Sequence, residues 1–139
     1  MNLKVMLDRG AKMPTRAHEN DAGFDLYAPV DALIYNDDSV DIDTGVHIQI
    51  PPGYVGLVKS KSGLNRWHSV QCEGVIDSGY TGSIHVKLYN HGRCAVSIAR
   101  KQKIAQLVIV PCITPDLLVV DEFPKTERGD GGFGSTGKF

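Results

Sequence analysis

The sequence predicts an all-β domain, and three features of its patterning lead there. From Val40 to Ile50 every even position is apolar or Thr while most odd positions are polar, the period-two signature of a strand with one dry face. Four more short runs, Val55 to Val58, Ile84 to Tyr89, Val96 to Ala99 and Ile104 to Val110, are each bounded by Gly, Pro, Asn or Asp. Helical periodicity is almost missing. Short strands at this spacing fit a sandwich, jelly roll or barrel.

Taken in chain order, Leu3 to Leu7 reads as an opening strand, and the alternating run Val40 to Ile50 follows after a stretch rich in turn residues that includes Asp37-Asp38. Val55 to Val58 leads through Lys59-Ser60-Lys61 into the best helix candidate, Ser62 to Trp67, with Ser60 or Ser62 as its N-cap. Trp67 is expected to pack on the core. Gly74-Val75-Ile76-Asp77-Ser78-Gly79-Tyr80-Thr81-Gly82 reads as a hairpin. Ile84 to Tyr89, Val96 to Ala99, Ile104 to Val110 and Leu117 to Val120 complete the strands. After Glu122 the composition shifts into a glycine-rich arm, so residues 1–122 form the β domain and 123–139 a flexible extension. Counted from Asp121 and fully extended, its roughly nineteen residues span up to about 60 Å at about 3.3 Å per residue, enough to reach a neighbouring subunit.

With 139 residues, 42% of them hydrophobic and 22% charged, the chain is one soluble domain able to bury a core. Its formal charge of −1 provides no general attraction for nucleic acid or a membrane surface, so any polyanion must be met by local groups. Cys72, Cys94 and Cys112 are odd in number and widely spaced, which suits reduced, buried thiols. Lys4 and Asp8 interrupt the first apolar run too early for a signal peptide, and the apolar stretch from Ile104 to Leu118 is broken by Gln106, Pro111, Thr114, Pro115 and Asp116. The expected compartment is the cytoplasm.

Several segments carry chemistry. Asp77, placed beside Ile76, is expected to be partly desolvated, which suits a general base that takes a proton from water; an acid that only shapes a turn is the alternative. Asn20-Asp21-Ala22-Gly23-Phe24-Asp25-Leu26 sets two acids around a glycine, either a solvated turn or oxygen ligands for hydrated Mg²⁺. Lys61 and the hydroxyls of Ser60 and Ser62 at the helix start can converge on a phosphate, or the segment is an ordinary capped helix. Gly132 to Lys138 has the glycine and lysine spacing of a phosphate loop, but Phe139 stands where Ser or Thr would ligate Mg²⁺ and no helix follows. This tail reads either as a plain linker or as a backbone wrap for phosphate oxygens assisted by Arg128. His18, His47, His68, His85 and His91 lack the spacing of a zinc site.

In order, these segments resemble the five motifs of the trimeric dUTP pyrophosphatase (dUTPase) family: Asp21 to Ala28, Lys61 to Leu64, Gly74 to Gly82, Lys103 to Leu107, and Arg128 to Gly137. The resemblance implies a distorted jelly roll with one short helix, assembled as a homotrimer whose arms cross between subunits. It implies hydrolysis of dUTP to dUMP and pyrophosphate, which limits uracil in DNA and supplies dUMP for thymidylate synthesis. Asp77 would activate the water that attacks the α-phosphorus. The backbone around Gly74 and Ile76 would read uracil, and Tyr80 would pack under the deoxyribose and refuse a 2′-hydroxyl. Lys61, Ser62, Gly63 and Gln106 would contact the triphosphate, with Asp25 holding waters of a Mg²⁺ cofactor. Phe133 would stack on uracil, and Arg128, Gly134, Ser135 and Thr136 would close over the γ-phosphate.

The chain departs from the family pattern at three places: Lys61 replaces a usual Arg, Gln71 stands where Asn is common, and Thr81-Gly82 replaces a common Arg-Gly. Two other functions share the scaffold. A dCTP deaminase would need a proton-shuttling carboxylate, for which Glu73 is the nearest glutamate, and a nucleotide-dependent regulatory protein would bind a protein partner through its surface.

Overall fold

The computed structural model describes residues 2–132 and 137. Among these the elements run β1 (Lys4–Leu7), β2 (Gly23–Tyr27), β3 (Ala32–Ile34), β4 (Ser39–Asp43), β5 (Val46–Gln49), β6 (Tyr54–Ser60), α1 (Ser62–His68), β7 (Val70–Gln71), β8 (Glu73–Ile76), β9 (His85–Asn90), β10 (Val96–Ile98) and β11 (Lys103–Pro111). The strands pair antiparallel in the orders β2-β11-β6-β8, β4-β9-β7, β1-β5 and β10-β3. Leu26, Val58 and Leu107 of the first sheet share one buried cluster with Ile42, Val86 and Leu88 of the second. Burial of each such side chain stabilises the fold by about 1.5–3 kcal/mol. The molecule is thus mainly β with one short helix, and among the described residues no helix is long and apolar enough to cross a membrane.

The alternation from Val40 to Ile50 is kept: Ile42, Thr44, Val46, Ile48 and Ile50 are all buried. It is split into β4 and β5 at Thr44-Gly45. Gly45 has φ +64, and a Cβ there would lie 3.0 Å from Cβ of Ala11 and 3.2 Å from Cβ of Asp8, so only glycine turns the chain here without displacing a neighbour. The Thr44 hydroxyl donates to the Ile84 carbonyl at 2.6 Å and accepts from Val46 N, which lets a polar side chain sit in the core.

Five local expectations change. Lys61, not Ser60 or Ser62, is the N-cap of α1, with no side-chain cap bond. Ser60 ends β6, and its Oγ exchanges hydrogen bonds with the backbone of Cys72 instead. Trp67 is 73% exposed because the helix lies on the surface and buries only Leu64; the Arg66 guanidinium covers part of its ring. Gly74 to Gly82 is not a paired hairpin: its first half is β8, bonded to β6, and Asp77 to Tyr80 is a turn leading to β9 in another sheet. Leu117 to Val120 forms no strand, since a strand needs an edge to bond; Leu117, Leu118 and Val119 are exposed. Of the three free cysteines only Cys72 is buried, while Cys94 is exposed and Cys112 partly so.

Candidate active site

The site begins with an irregularity in the ladder between β2 and β11. Gln106 stands opposite Asp25 and Ala105 opposite Leu26, but Lys103, not Ile104, stands opposite Tyr27. One extra residue on β11 makes a β-bulge there. Ile104 and Ala105 are consequently both buried. The bulge shifts the side-chain alternation by one, so Lys103 shares a face with Asp25 and Gln106.

On that face Lys61 Nζ donates to Asp25 Oδ1 at 2.6 Å and Lys103 Nζ donates to Oδ2 at 2.7 Å. The Asp25 side chain is only 6% exposed. Burial pushes its carboxyl up, but hydrogen bonds and charge from Lys103 and Lys61 outweigh that and hold it below its ordinary value. The partner Lys103 is raised in turn by its bond to Asp25. Lys103 heads the fourth motif, where the resemblance assigns it no role. The available signal was the apolar pair Ile104-Ala105 between two polar residues, which breaks the period of two.

Gln106 donates from Nε2 to the Ser60 carbonyl at 3.2 Å, which aims it toward the start of α1. Ser62 and Gly63 lie exposed in the first turn of that helix, whose leading N–H groups have no side-chain cap and are open to an anion. Asp25, Lys61, Lys103, Gln106, Ser62 and Gly63 therefore form one polar cradle. Asp21 flanks it: its carboxylate accepts from His18 N within a turn, and its charge adds to the raising of Lys103.

Each Asp25 oxygen takes one lysine N–H and keeps a second lone pair for a metal-bound water. Among the described residues no three His, Cys, Asp or Glu gather as a direct cation site. The donor set fits Mg²⁺ held through water, as an ion that dehydrates reluctantly prefers, and does not fit direct chelation.

Asp77 and Tyr80 lie elsewhere. Tyr80 N donates to Asp77 O at 3.2 Å to close a turn that Gly79 completes at φ +89. Asp77 is exposed rather than partly desolvated, because its strand has already ended and none of the described residues covers the turn. Tyr80 is 44% exposed and donates its hydroxyl to the Ser83 carbonyl at 2.9 Å. Gly74 and Ile76 precede the turn on β8, half-buried. Ile76 pairs with Gly56, so the extended run from Gly56 through the end of β6 to Lys61 separates the turn from the Lys61 end of the cradle by about 16 Å at about 3.3 Å per residue.

In the arm, Arg128 Nε donates to the Gly131 carbonyl at 3.1 Å. Phe133, Gly134, Ser135 and Thr136 lie outside the described residues. Glu73 is 76% exposed and accepts from Lys59 Nζ at 2.6 Å, which lowers its carboxyl.

A model of the dUTPase family matches residues 9–137, nearly the whole chain. The chain belongs to the dUTPase family. It is 39% identical to the deoxyuridine 5′-triphosphate nucleotidohydrolase of Clostridium acetobutylicum over 99% of this chain and 97% of that one. It superposes on the dUTPase of Staphylococcus bacteriophage 80alpha, solved with dUPNHPP, at TM-score 0.93 and 33% identity over 99% of both chains. A variant dUTPase of phage phi11 of S. aureus, which coordinates a structural Mg(II) ion, matches at TM-score 0.83 and 31% identity over 90% of this chain and all of that one. Membership of the dUTPase family accounts for the five motifs occurring as one ordered set in this chain.

Proposed function

We propose that the protein is a deoxyuridine 5′-triphosphate nucleotidohydrolase that cleaves dUTP with water to dUMP and pyrophosphate. The observation that carries the reading is the cradle of Asp25, Lys61, Lys103 and Gln106, joined in one chain to a distant turn that bears Asp77 and Tyr80. In this reading the cradle binds the triphosphate. Lys61 and Gln106 contact its oxygens together with Ser62 and Gly63, and Asp25 accepts hydrogen bonds from waters of Mg²⁺. Bound there, Mg²⁺ supplies positive charge to the phosphate oxygens.

Asp77 takes the proton of the attacking water as the α-phosphorus–oxygen bond to the leaving pyrophosphate breaks. Tyr80 lies against the deoxyribose, and the backbone near Gly74 and Ile76 reads uracil. Arg128 and the terminal residues Phe133, Gly134, Ser135 and Thr136 close the site and exclude other water.

A base about 16 Å or more from the phosphate cradle cannot serve that cradle in its own chain. We infer that each site joins the cradle of one copy to the turn of another, within a homotrimer of distorted jelly rolls. The exposed apolar run Ile113, Leu117, Leu118 and Val119 supports association, because apolar surface of that extent is normally covered. The arm crosses between copies, and the assembly works in the cytoplasm. Pyrophosphate release from dUTP, dTTP, dCTP and UTP with Mg²⁺ tests the activity. Release from dUTP alone is expected; equal turnover of dTTP, or ammonia from dCTP, overturns the reading.

A further inference from the structure

Thr81 stands next to Tyr80 at one of the three departures from the family pattern, and its carbonyl is gripped by a side chain from another strand. His47 on β5 places Nδ1 at 2.8 Å from Thr81 O and Nε2 at 3.2 Å from Asp8 Oδ2. The His47 side chain is 18% exposed and Asp8 is 57% exposed. A backbone carbonyl and an ionised carboxylate only accept hydrogen bonds, and a neutral imidazole carries only one N–H. The imidazolium alone satisfies both partners.

We propose that His47, as an imidazolium, is a positioning residue that holds Tyr80 through the carbonyl of its neighbour Thr81. The surroundings favour that state. Asp8 faces the ring from beyond β1, and Asp43 faces it from the end of β4, with His85 of β9 on the far oxygen of Asp43. The bond to Thr81 first, and that to Asp8 second, raise His47 above its ordinary value of 6.5. Asp43 also accepts from the Ser83 hydroxyl, while Ser83 O accepts from Tyr80, so the segment after the turn is tied to the β4-β5 corner at two points.

Below its raised value His47 keeps both bonds; as the pH rises through that value it loses a proton and one of the two bonds. The grip on Thr81 then weakens, and Tyr80 is its chain neighbour. The consequence for substrate rests on the reading of Tyr80 as the deoxyribose platform. Loosening raises KM for dUTP and leaves kcat nearly unchanged, because Tyr80 binds without transferring a proton while Asp77 lies four residues from Thr81, across a turn closed by its own backbone bond.

The test follows the His47 ring nitrogens and the Thr81 carbonyl carbon by NMR between about pH 6 and pH 9, with steady-state dUTP kinetics on wild type, Asp8→Asn and His47→Gln. We expect both ring nitrogens protonated at the acid end and a Thr81 shift that follows the His47 midpoint. Through that midpoint the wild-type KM rises about threefold to tenfold, the loss of one hydrogen bond, with kcat changed less than about twofold. Asp8→Asn moves the NMR and KM midpoints to lower pH together, and in His47→Gln the step is gone. The γ-phosphate titrates alike in all three proteins, so the difference between profiles isolates His47.

Coincident KM profiles for wild type and His47→Gln overturn the proposal, as does a Thr81 shift that ignores the His47 titration. Undiminished turnover by Asp77→Asn would instead overturn the reading of the site and leave the NMR result standing.

Discussion

Gly23 on β2 packs against Gln106 on β11 so closely that a Cβ on Gly23 would lie 2.6 Å from Gln106 Oε1 and 3.1 Å from its Cβ. The amide oxygen is the far end of a flexible side chain and can move, but the Cβ is held by the strand. Glycine here lets Gln106 lie flat beside Asp25 and reach Ser60. The Gly23→Ala variant is expected to lose about 1–3 kcal/mol of stability through overpacking and to bind dUTP more weakly as Gln106 turns away. Thermal melting and the KM for dUTP check both effects; an unchanged KM would remove Gln106 from the phosphate contacts.

Asp25 joins two lysines that would otherwise face each other. Asp25→Asn should cost about 2–3 kcal/mol, less than a fully buried pair because Lys103 is 45% exposed. The carboxyl is lowered in the folded state, so its stabilisation is complete above the ordinary carboxylate range and is lost as the pH falls through the folded value. Urea unfolding should therefore show a gap between wild type and Asp25→Asn at neutral pH that closes in acid. A gap independent of pH would show that the charge on Asp25 contributes nothing.

Asp77→Asn is nearly isosteric in the turn and removes the proposed base. Turnover should fall about 10²–10⁴-fold while dUTP binding persists, measured by pyrophosphate release and by calorimetric titration. Lost binding with lost turnover would make Asp77 a structural acid.

Mixing two inactive variants tests the shared site. After refolding together, equal amounts of Asp77→Asn and Lys61→Ala should recover about a quarter of the wild-type sites, because a random ring of copies pairs an intact cradle with an intact turn at that frequency. Sites contained in single chains would recover nothing.

Removing Arg128 to Phe139 should leave the β domain intact, since Arg128 to Asp130 are exposed and the last strand ends at Pro111. Stability is expected to stay within about 0.5 kcal/mol while activity falls sharply. Unfolding of the truncated protein would show that the arm holds the domain together.

Much of the fold is legible because strand alternation is a local property. The even positions from Ile42 to Ile50 declare which face is dry, and the punctuation by Gly, Pro, Asn and Asp marks the ends. Less was legible where a partner decides the outcome. Leu117 to Val120 has the composition of a strand and no edge to bond in its own chain, and Trp67 has the character of a core residue on a helix too short to bury it.

The sequence by itself determined the all-β class, most strand positions and the ordered set of motifs, since each depends on residues adjacent along the chain. Tertiary structure alone decided how those residues meet. The bulge after Lys103 moved a lysine across the sheet to Asp25, the register of β8 on β6 carried Asp77 away from Lys61, and β5 brought His47 to Thr81. Each is a matter of register or of contact between distant segments. A one-residue shift in register exchanges the two faces of a strand and leaves its local pattern unchanged.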